Sequence, residues 1–442
     1  TNRNMPSLLD LSEDLLVAVA VQACTARDRY VLAATCKVLY RLIIVDTTSA
    51  AVWAPLLRAL NWIGDEMLGT TPPMLYRTLS KLRRLRWSPL ELDAPEGLAR
   101  TLMCRSGAAG CRLGAELLMF GGTLNGNIGP VLGDLLLLSL DDVSAVLTVR
   151  PVQHTRSEEG SPMVDQEGPG ARRGHSLTAT CIDATHVAVL LGGWGHTDIG
   201  MQPYLLYRAG EGRYLWQRPH VAGTEPSGRA FHSTNAIGNG QLLVYGGLGR
   251  GCCCRDHAVL DARTMSWSAP KISGRPRCVS GRAGHGAIFL PGAHGGGELL
   301  FLSGASRSAD GDKHQVTVDV IEVGVDGALQ WSADTAWNSV KLPAVRTAAY
   351  AVFARTVVTW SGIGHHFQPE PSLRLLDVAH RRVHTAECVV ETALDMPAPR
   401  GGSECLQLRP GAVLLLAGSD HEGTCFPPRV LQVELDSRVE GG

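Results

Sequence analysis

Residues 228–247 read GRAFHSTNAIGNGQLLVYGG: an arginine (Arg229) with a histidine at the third position after it (His232), then an apolar run that ends in Gly246-Gly247. The same arrangement returns along most of the chain. Apolar runs end in two small residues at Gly121-Gly122, Gly192-Gly193, Gly246-Gly247, Ser303-Gly304, Ser361-Gly362 and Ala417-Gly418. Upstream of each lies an arginine with a histidine or a smaller stand-in at the third position after it: Arg105/Ala108, Arg172/His175, Arg229/His232, Arg282/His285, Arg346/Ala349 and Arg400/Ser403. These arginines recur every 53 to 67 residues, a period that marks a repeat architecture.

Short apolar runs separated by Gly, Pro, Asp and Ser clusters are the signature of β-strands and turns, and this pattern begins near Arg86. Most units carry a third apolar run after the small pair, for example Leu135 to Leu140 and Leu373 to Val378, and Trp216, Trp267 and Trp331 mark a fourth. A four-stranded sheet with two apolar faces cannot bury either face alone, so six such units are expected to stack face to face around an axis. A four-stranded unit with a double-glycine turn and an outer-strand tryptophan resembles the kelch repeat, which implies a six-bladed kelch β-propeller over 86–437. The last unit stops after its third run near Leu435, whereas Arg86-Trp87-Ser88-Pro89 matches Met265-Ser266-Trp267-Ser268. A strand over 86–92 is therefore expected to complete the last blade and remove two free edges. The recurring histidines are expected to hydrogen-bond within their own blades.

From Pro6 to about Leu85 the pattern is helical, with apolar residues three and four apart (Leu11, Leu15, Leu16, Val19; Leu32, Cys36, Leu39). Ser12 followed by Glu13 and Asp14 puts a capping hydroxyl and acidic side chains at a helix start, where unpaired amides favour them. The stretches Leu11-Ser12-Glu13-Asp14-Leu15-Leu16, Cys24-Thr25-Ala26-Arg27-Asp28 and Ala34 to Tyr40, followed by Trp53, resemble an F-box. They depart from it at Ser12 and Ala26, where that family has proline, and at Cys24, where it has leucine. The resemblance implies a small all-α domain over 5–62 and a helical linker over 63–85. It also implies docking of a Skp-type adaptor, and through it a cullin, by Leu11, Leu15, Leu16, Leu32, Cys36 and Trp53. Cys36 to Leu42, Leu85-Arg86-Trp87 and Gly174-His175-Ser176 resemble the F-box and kelch portion of the Zeitlupe-type plant photoreceptors. No light-sensing LOV segment stands in this chain, so light sensing is not implied. Together these likenesses imply a non-catalytic substrate-recognition subunit of an SCF-type ubiquitin ligase, binding its target through the propeller.

Composition narrows the alternatives. Of 442 residues, 45% are hydrophobic and 19% charged, ample for a buried core. A formal net charge of −1 without a basic block argues against a nucleic-acid or anionic-membrane footprint. Twelve cysteines without regular spacing and no signal-like start are read as reduced intracellular thiols in the cytoplasm or nucleus. Cys252-Cys253-Cys254 lacks the spacing that presents two thiolates to one metal. No nucleophile elbow, Walker loop or zinc-protease motif occurs, and His365, His366 and His421 lack the tyrosines or carboxylates of a metalloenzyme site, so neither catalysis nor a cofactor is expected.

The loops after the small pairs should gather on one end of the disc and form the face that meets a target. Exposed aromatics and arginines make the best anchors there, which selects Trp194, His196, Arg250, Arg307, His366 and Phe367. The segment from Gln153 to Ala171 reads as a solvated connection.

Overall fold

The run Val187-Ala188-Val189-Leu190-Leu191 shows why the strands form as they do: all five residues are 0% exposed. Side chains alternate along a strand, so Val187, Val189 and Leu191 face one neighbouring sheet and Ala188 and Leu190 the other. A strand buried on both faces is continuously apolar rather than alternating, and the same holds for Leu414 to Leu416 and for Leu299 to Leu302.

The computed structural model describes residues 84–433 except 96, 115, 126–128, 142–143, 153, 156–167, 184, 196–199, 211, 293–295, 309–310, 354, 365–367, 390–396, 410–411, 421, 423 and 425. Six antiparallel blades follow one another. Blade 1 comprises Ala109–Leu113, Glu116–Phe120, Leu135–Asp141 and Val146–Pro151. Blade 2 comprises Ser176–Ile182, Thr185–Leu191, Tyr204–Gly210 and Arg213–Gln217, and blade 3 Ser233–Gly238, Gln241–Tyr245, His257–Asp261 and Ser266–Ser268. Blade 4 comprises Gly286–Pro291, Gly297–Leu302, Val318–Val323 and Leu329–Trp331, and blade 5 Ala349–Phe353, Thr356–Trp360, Leu373–Asp377 and Arg382–Thr385. Blade 6 takes Gly401–Arg409, Ala412–Ser419 and Arg429–Val433 from one end and Arg84–Pro89 from the other. First strands of successive blades pack on one another around the axis. The fold is thus a mainly β, six-bladed propeller.

Six apolar clusters fill the six seams between blades. An outer-strand tryptophan typically crosses to the preceding blade. Trp216 stands edge-on to Phe120 at 5.4 Å, Trp87 edge-on to Trp360 at 5.5 Å, and Trp331 lies beside Tyr245 at 5.8 Å. Blade 5 has no tryptophan on its outer strand. Its seam with blade 4 is filled instead by Trp337, 1% exposed, from the 3-10 turn Thr335–Ser339 in the preceding connector.

The segment expected as one strand over 86–92 is divided. Trp87 pairs with Leu431 in blade 6, but Glu91–Asp93 turns away and pairs in parallel with Val146, Leu147 and Thr148 on the rim of blade 1. Proline at position 89 supplies no amide to a continued ladder, which ends the first strand there. The strand begins at Arg84, inside the stretch read as helical linker; the remainder of that linker and the segment read as an F-box lie outside the described residues. Cys104 is disulfide-bonded, which corrects the expectation of reduced thiols at that position. Among the described residues no helix is long and apolar enough to cross a membrane.

Candidate functional site

Every blade places the residues just before its first strand beside the small pair that ends its second. The arginines at this point are buried. Arg105, Arg172, Arg229, Arg282 and Arg400 donate to the carbonyls of Gly121, Gly192, Gly246, Ser303 and Ala417 at 2.8, 3.1, 3.1, 3.2 and 3.0 Å. Carboxylates neutralise three of them: Asp134 for Arg105 (2.7 Å), Asp256 for Arg229 (2.7 Å) and, fully buried on both sides, Asp319 for Arg282. Arg172 lies over Tyr204 at 5.3 Å and Arg400 over Phe426 at 4.4 Å. Burial pushes Arg400 down to about 9.

Blade 5 corrects the sequence alignment. The carbonyl that receives the glycine-pair amide is that of Arg172, Arg229, Arg282 and Arg400 in other blades, but in blade 5 it belongs to Val345, which accepts from Gly304 at 2.8 Å. The repeat position is therefore Val345/Ala348, not Arg346/Ala349, and Arg346 stands one residue further on. A nearby arginine satisfied the pattern in sequence; the backbone bond assigns the register.

In all six pairs the second residue is glycine, whereas the first is serine or alanine in three of them. First residues sit at φ between 52 and 63°, where Ser303, Ser361 and Ala417 are tolerated, but second residues sit at 89 to 116°. A Cβ on Gly193, Gly247 or Gly304 would also lie 2.8, 2.7 or 2.8 Å from the Cβ of His175, His232 or His285. Two of these histidines bond across a seam rather than within a blade, contrary to expectation. His232 Nε2 meets Ser176 Oγ of blade 2 at 3.1 Å, and His285 Nε2 meets Ser233 Oγ of blade 3 at 2.9 Å. Burial holds His175 and His232 down to about 3 and His285 well below its ordinary value, so all three are neutral at physiological pH. Among the described residues no group of three or more His, Cys, Asp or Glu is placed to hold a metal.

A closed ring of backbone hydrogen bonds surrounds the axis at this end of the disc. Gly174 donates to Gly107 (2.8 Å), Phe231 to Gly174 (2.6 Å), Gly284 to Phe231 (2.9 Å), Thr347 to Gly284 (2.6 Å), Gly402 to Thr347 (2.9 Å) and Gly107 to Gly402 (3.2 Å). All six residues are left-handed, with φ between 51 and 69°. Glycine suits that conformation; Phe231 and Thr347 adopt it against their side-chain preference, the kind of strain that concentrates at functional positions. The ring uses its own N–H and C=O groups, so a ligand at the mouth meets side chains.

Those side chains are grouped. Trp194, half-buried, stands edge-on to Phe231 at 5.4 Å, and the Arg173 guanidinium lies 5.9 Å from the Trp194 ring. The Phe231 ring lies against Gly174, where an added Cβ would meet it at 3.0 Å, and points on towards Gly107. On blade 5, opposite blade 2 in a six-fold ring, Arg346 pairs through its backbone with Ile363 as Arg173 does with Trp194. Arg250 is exposed beside a turn closed by Gly249 N–H and Cys252 C=O at 3.0 Å. Arg307 lies in the hairpin Ala305–Ser308/Gly311–His314 by its backbone, its side chain not being described. His196, His366 and Phe367, and all of Leu11, Leu15, Leu16, Leu32, Cys36 and Trp53, lie outside the described residues. Sequence reading passed over Phe231 and Arg173. The signal for Phe231 was present: four of the six repeats carry glycine in its slot.

Comparisons with known proteins agree with this architecture. The family described as the KLHDC2/KLHL20/DRC7 Kelch-repeats domain matches residues 107–322. A mouse protein named Rab9 effector protein with kelch motifs is 37% identical over 92 residues, 20% of this chain and 22% of its own. Adagio protein 3 of Arabidopsis thaliana is 25% identical over 321 residues, 69% of this chain and 46% of its own. Acyl-CoA-binding domain-containing protein 4 of Arabidopsis thaliana is 29% identical over 117 residues, 26% of this chain and 15% of its own. The chain thus spans less than half the length of each of these relatives. The match over residues 107–322, which span blades 1 to 3 and most of blade 4, identifies kelch repeats there.

Proposed function

We propose that this chain is the substrate-recognition subunit of an SCF-type ubiquitin ligase. In this reading residues 5–62 are an F-box that docks a Skp-type adaptor, and through it a cullin, by Leu11, Leu15, Leu16, Leu32, Cys36 and Trp53. The kelch propeller, a protein-interaction module, receives the target at its glycine-pair face. The observation that carries the recognition half is the axial mouth. Trp194, Phe231 and Arg173 are held together and partly open to solvent, of residue types that anchor protein interfaces. The repeat's buried arginines are occupied in hydrogen bonds within their own blades, and His232 and His285 in hydrogen bonds across seams, which supports a receptor without chemistry of its own. The ligase half is supported by the F-box-like sequence motif ahead of the propeller and its order in the chain. Such a subunit works in the cytoplasm or nucleus.

Affinity purification of the full chain tests it. The intact protein should retain a Skp-type adaptor, and Leu15→Ala with Leu16→Ala should abolish that capture while the propeller's melting transition is unchanged. Equal capture by the double variant overturns the adaptor assignment. A chain that binds a target but no adaptor is a kelch scaffold outside the ligase pathway.

A further inference from the structure

The outer strand of a propeller blade presents an unpaired edge to solvent, and such edges attract extended chains. In five blades the connector arriving from the preceding blade covers that edge as a short parallel fifth strand or bridge. Glu91–Asp93 covers blade 1, His154–Thr155 blade 2, Ala222 (against Ser266) blade 3, Ser273 (against Gln330) blade 4 and Glu387–Val389 blade 6. Blade 5 is the exception. Its connector is diverted into the 3-10 turn Thr335–Ser339 that delivers Trp337 to the seam, and among the described residues no strand pairs with the outer side of Arg382–Thr385.

A second observation points the same way. The outer strand of every other blade contains at least one buried side chain, such as Leu147, Trp216, Trp267, Trp331 and Trp87, but Arg382–Thr385 contains none. Arg382 and Thr385 are exposed and Val383 and His384 half-buried; Arg382 stands across the ladder from Asp377, whose carboxylate is bonded to His380. The filled edge of blade 1 shows what suits such a site. There Asp93 of the fifth strand accepts from Arg150 at 3.2 Å and Thr148 at 3.3 Å on the outer strand. The edge of blade 5 offers an arginine in the same role at Arg382, with His384 two residues on and on the same face of the strand, as Thr148 stands to Arg150 in blade 1.

We infer that the outer edge of blade 5 is a second docking site, which takes an extended acidic segment of a partner protein as a parallel fifth strand along Arg382–Thr385. Main-chain hydrogen bonds supply the affinity and carboxylates facing Arg382 the selection, as in β-strand addition generally. This site lies on the rim, separate from the axial mouth, and does not depend on the ligase reading.

The chain's own acidic fifth strand provides the probe. A labelled peptide with the sequence of residues 88–94, Ser-Pro-Leu-Glu-Leu-Asp-Ala, is titrated into the full chain and followed by fluorescence anisotropy, with amide exchange measured peptide by peptide. Saturable binding, slowed exchange confined to 382–385 and an affinity reduced about fivefold by Arg382→Glu, the upper range for an exposed ion pair, support the site. No binding at millimolar peptide, protection elsewhere (at 146–151 or around Trp194 and Phe231), or an unchanged affinity in Arg382→Glu overturns it. Arg382 is exposed, so an unaltered melting temperature separates lost binding from lost fold.

Discussion

Blades 4 and 5 stand side by side and solve the same problem differently. Blade 4 follows the repeat throughout: Arg282 and Asp319 form a fully buried ion pair, His285 bonds to Ser233 across the seam, and Trp331 crosses to Tyr245. Blade 5 keeps the geometry and discards the chemistry. Val345 stands where the arginine belongs, Ala348 replaces the histidine, and the tryptophan arrives from the connector as Trp337. The backbone bonds around the axis are the same in both, with Thr347 donating to Gly284 and accepting from Gly402. The shared requirement is therefore a left-handed residue on the axis, a glycine at the second pair position and a filled seam. Any volume that fills the seam serves, whichever segment supplies it.

The sharpest way to break this comparison is to remove one partner of the blade 4 ion pair. Asp319 also accepts the amides of Arg277 and Cys278, so Asp319→Ala leaves a buried guanidinium and two amides without their acceptor. Chemical denaturation should show a loss of about 3–5 kcal/mol. Replacing both members together, Arg282→Val with Asp319→Leu, imitates blade 5 and should cost less than the single change. A double variant no better than Asp319→Ala would mean that the repeat cannot exchange charge for packing.

Trp337 tests whether a borrowed side chain carries the load of a native one. It is buried between Val320, Val357 and Leu376, and Arg381 covers it at 4.7 Å. Trp337→Ala should cost about 3 kcal/mol, comparable with Trp331→Ala in blade 4, measured on the same denaturation curves. A clearly smaller loss would mean that the seam collapses around the gap.

The smallest effect separates His285 from Ala348. Burial keeps the folded His285 neutral and its pKa well below the ordinary 6.5, so the unfolded chain binds a proton more readily. Stability from this group is full above pH 6.5 and falls as the pH drops below it. His285→Ala, the blade 5 residue, loses the bond to Ser233 at neutral pH but also the acid penalty. The gap in melting temperature between wild type and variant should narrow from about pH 8 to about pH 5. A constant gap would show that His285 does not titrate with unfolding.

Much of the candidate site was open to sequence reading, but unevenly. The loops after the small pairs and Trp194 could be selected because exposed aromatics after a strand have few structural uses. Phe231 was hidden because a phenylalanine beside a histidine reads as ordinary strand packing; its left-handed φ of 54° makes it a mouth residue. Arg346 misled because an arginine one residue away satisfies a spacing rule that tolerates small shifts, whereas a backbone hydrogen bond does not.

By itself the sequence determined the number of blades, the strands that build them and the need for glycine at the second position of each pair. Those properties are local: alternation along a strand and the φ available without a Cβ are set within a few residues. Only the tertiary structure decided which blade lacked its arginine, that His232 and His285 bond across seams, that Trp337 stands in for an absent outer-strand tryptophan, and that the rim of blade 5 alone is uncovered among the described edges. Each depends on contacts between segments distant in the chain. A seam registers the volume and hydrogen-bonding groups it receives, not the repeat they come from.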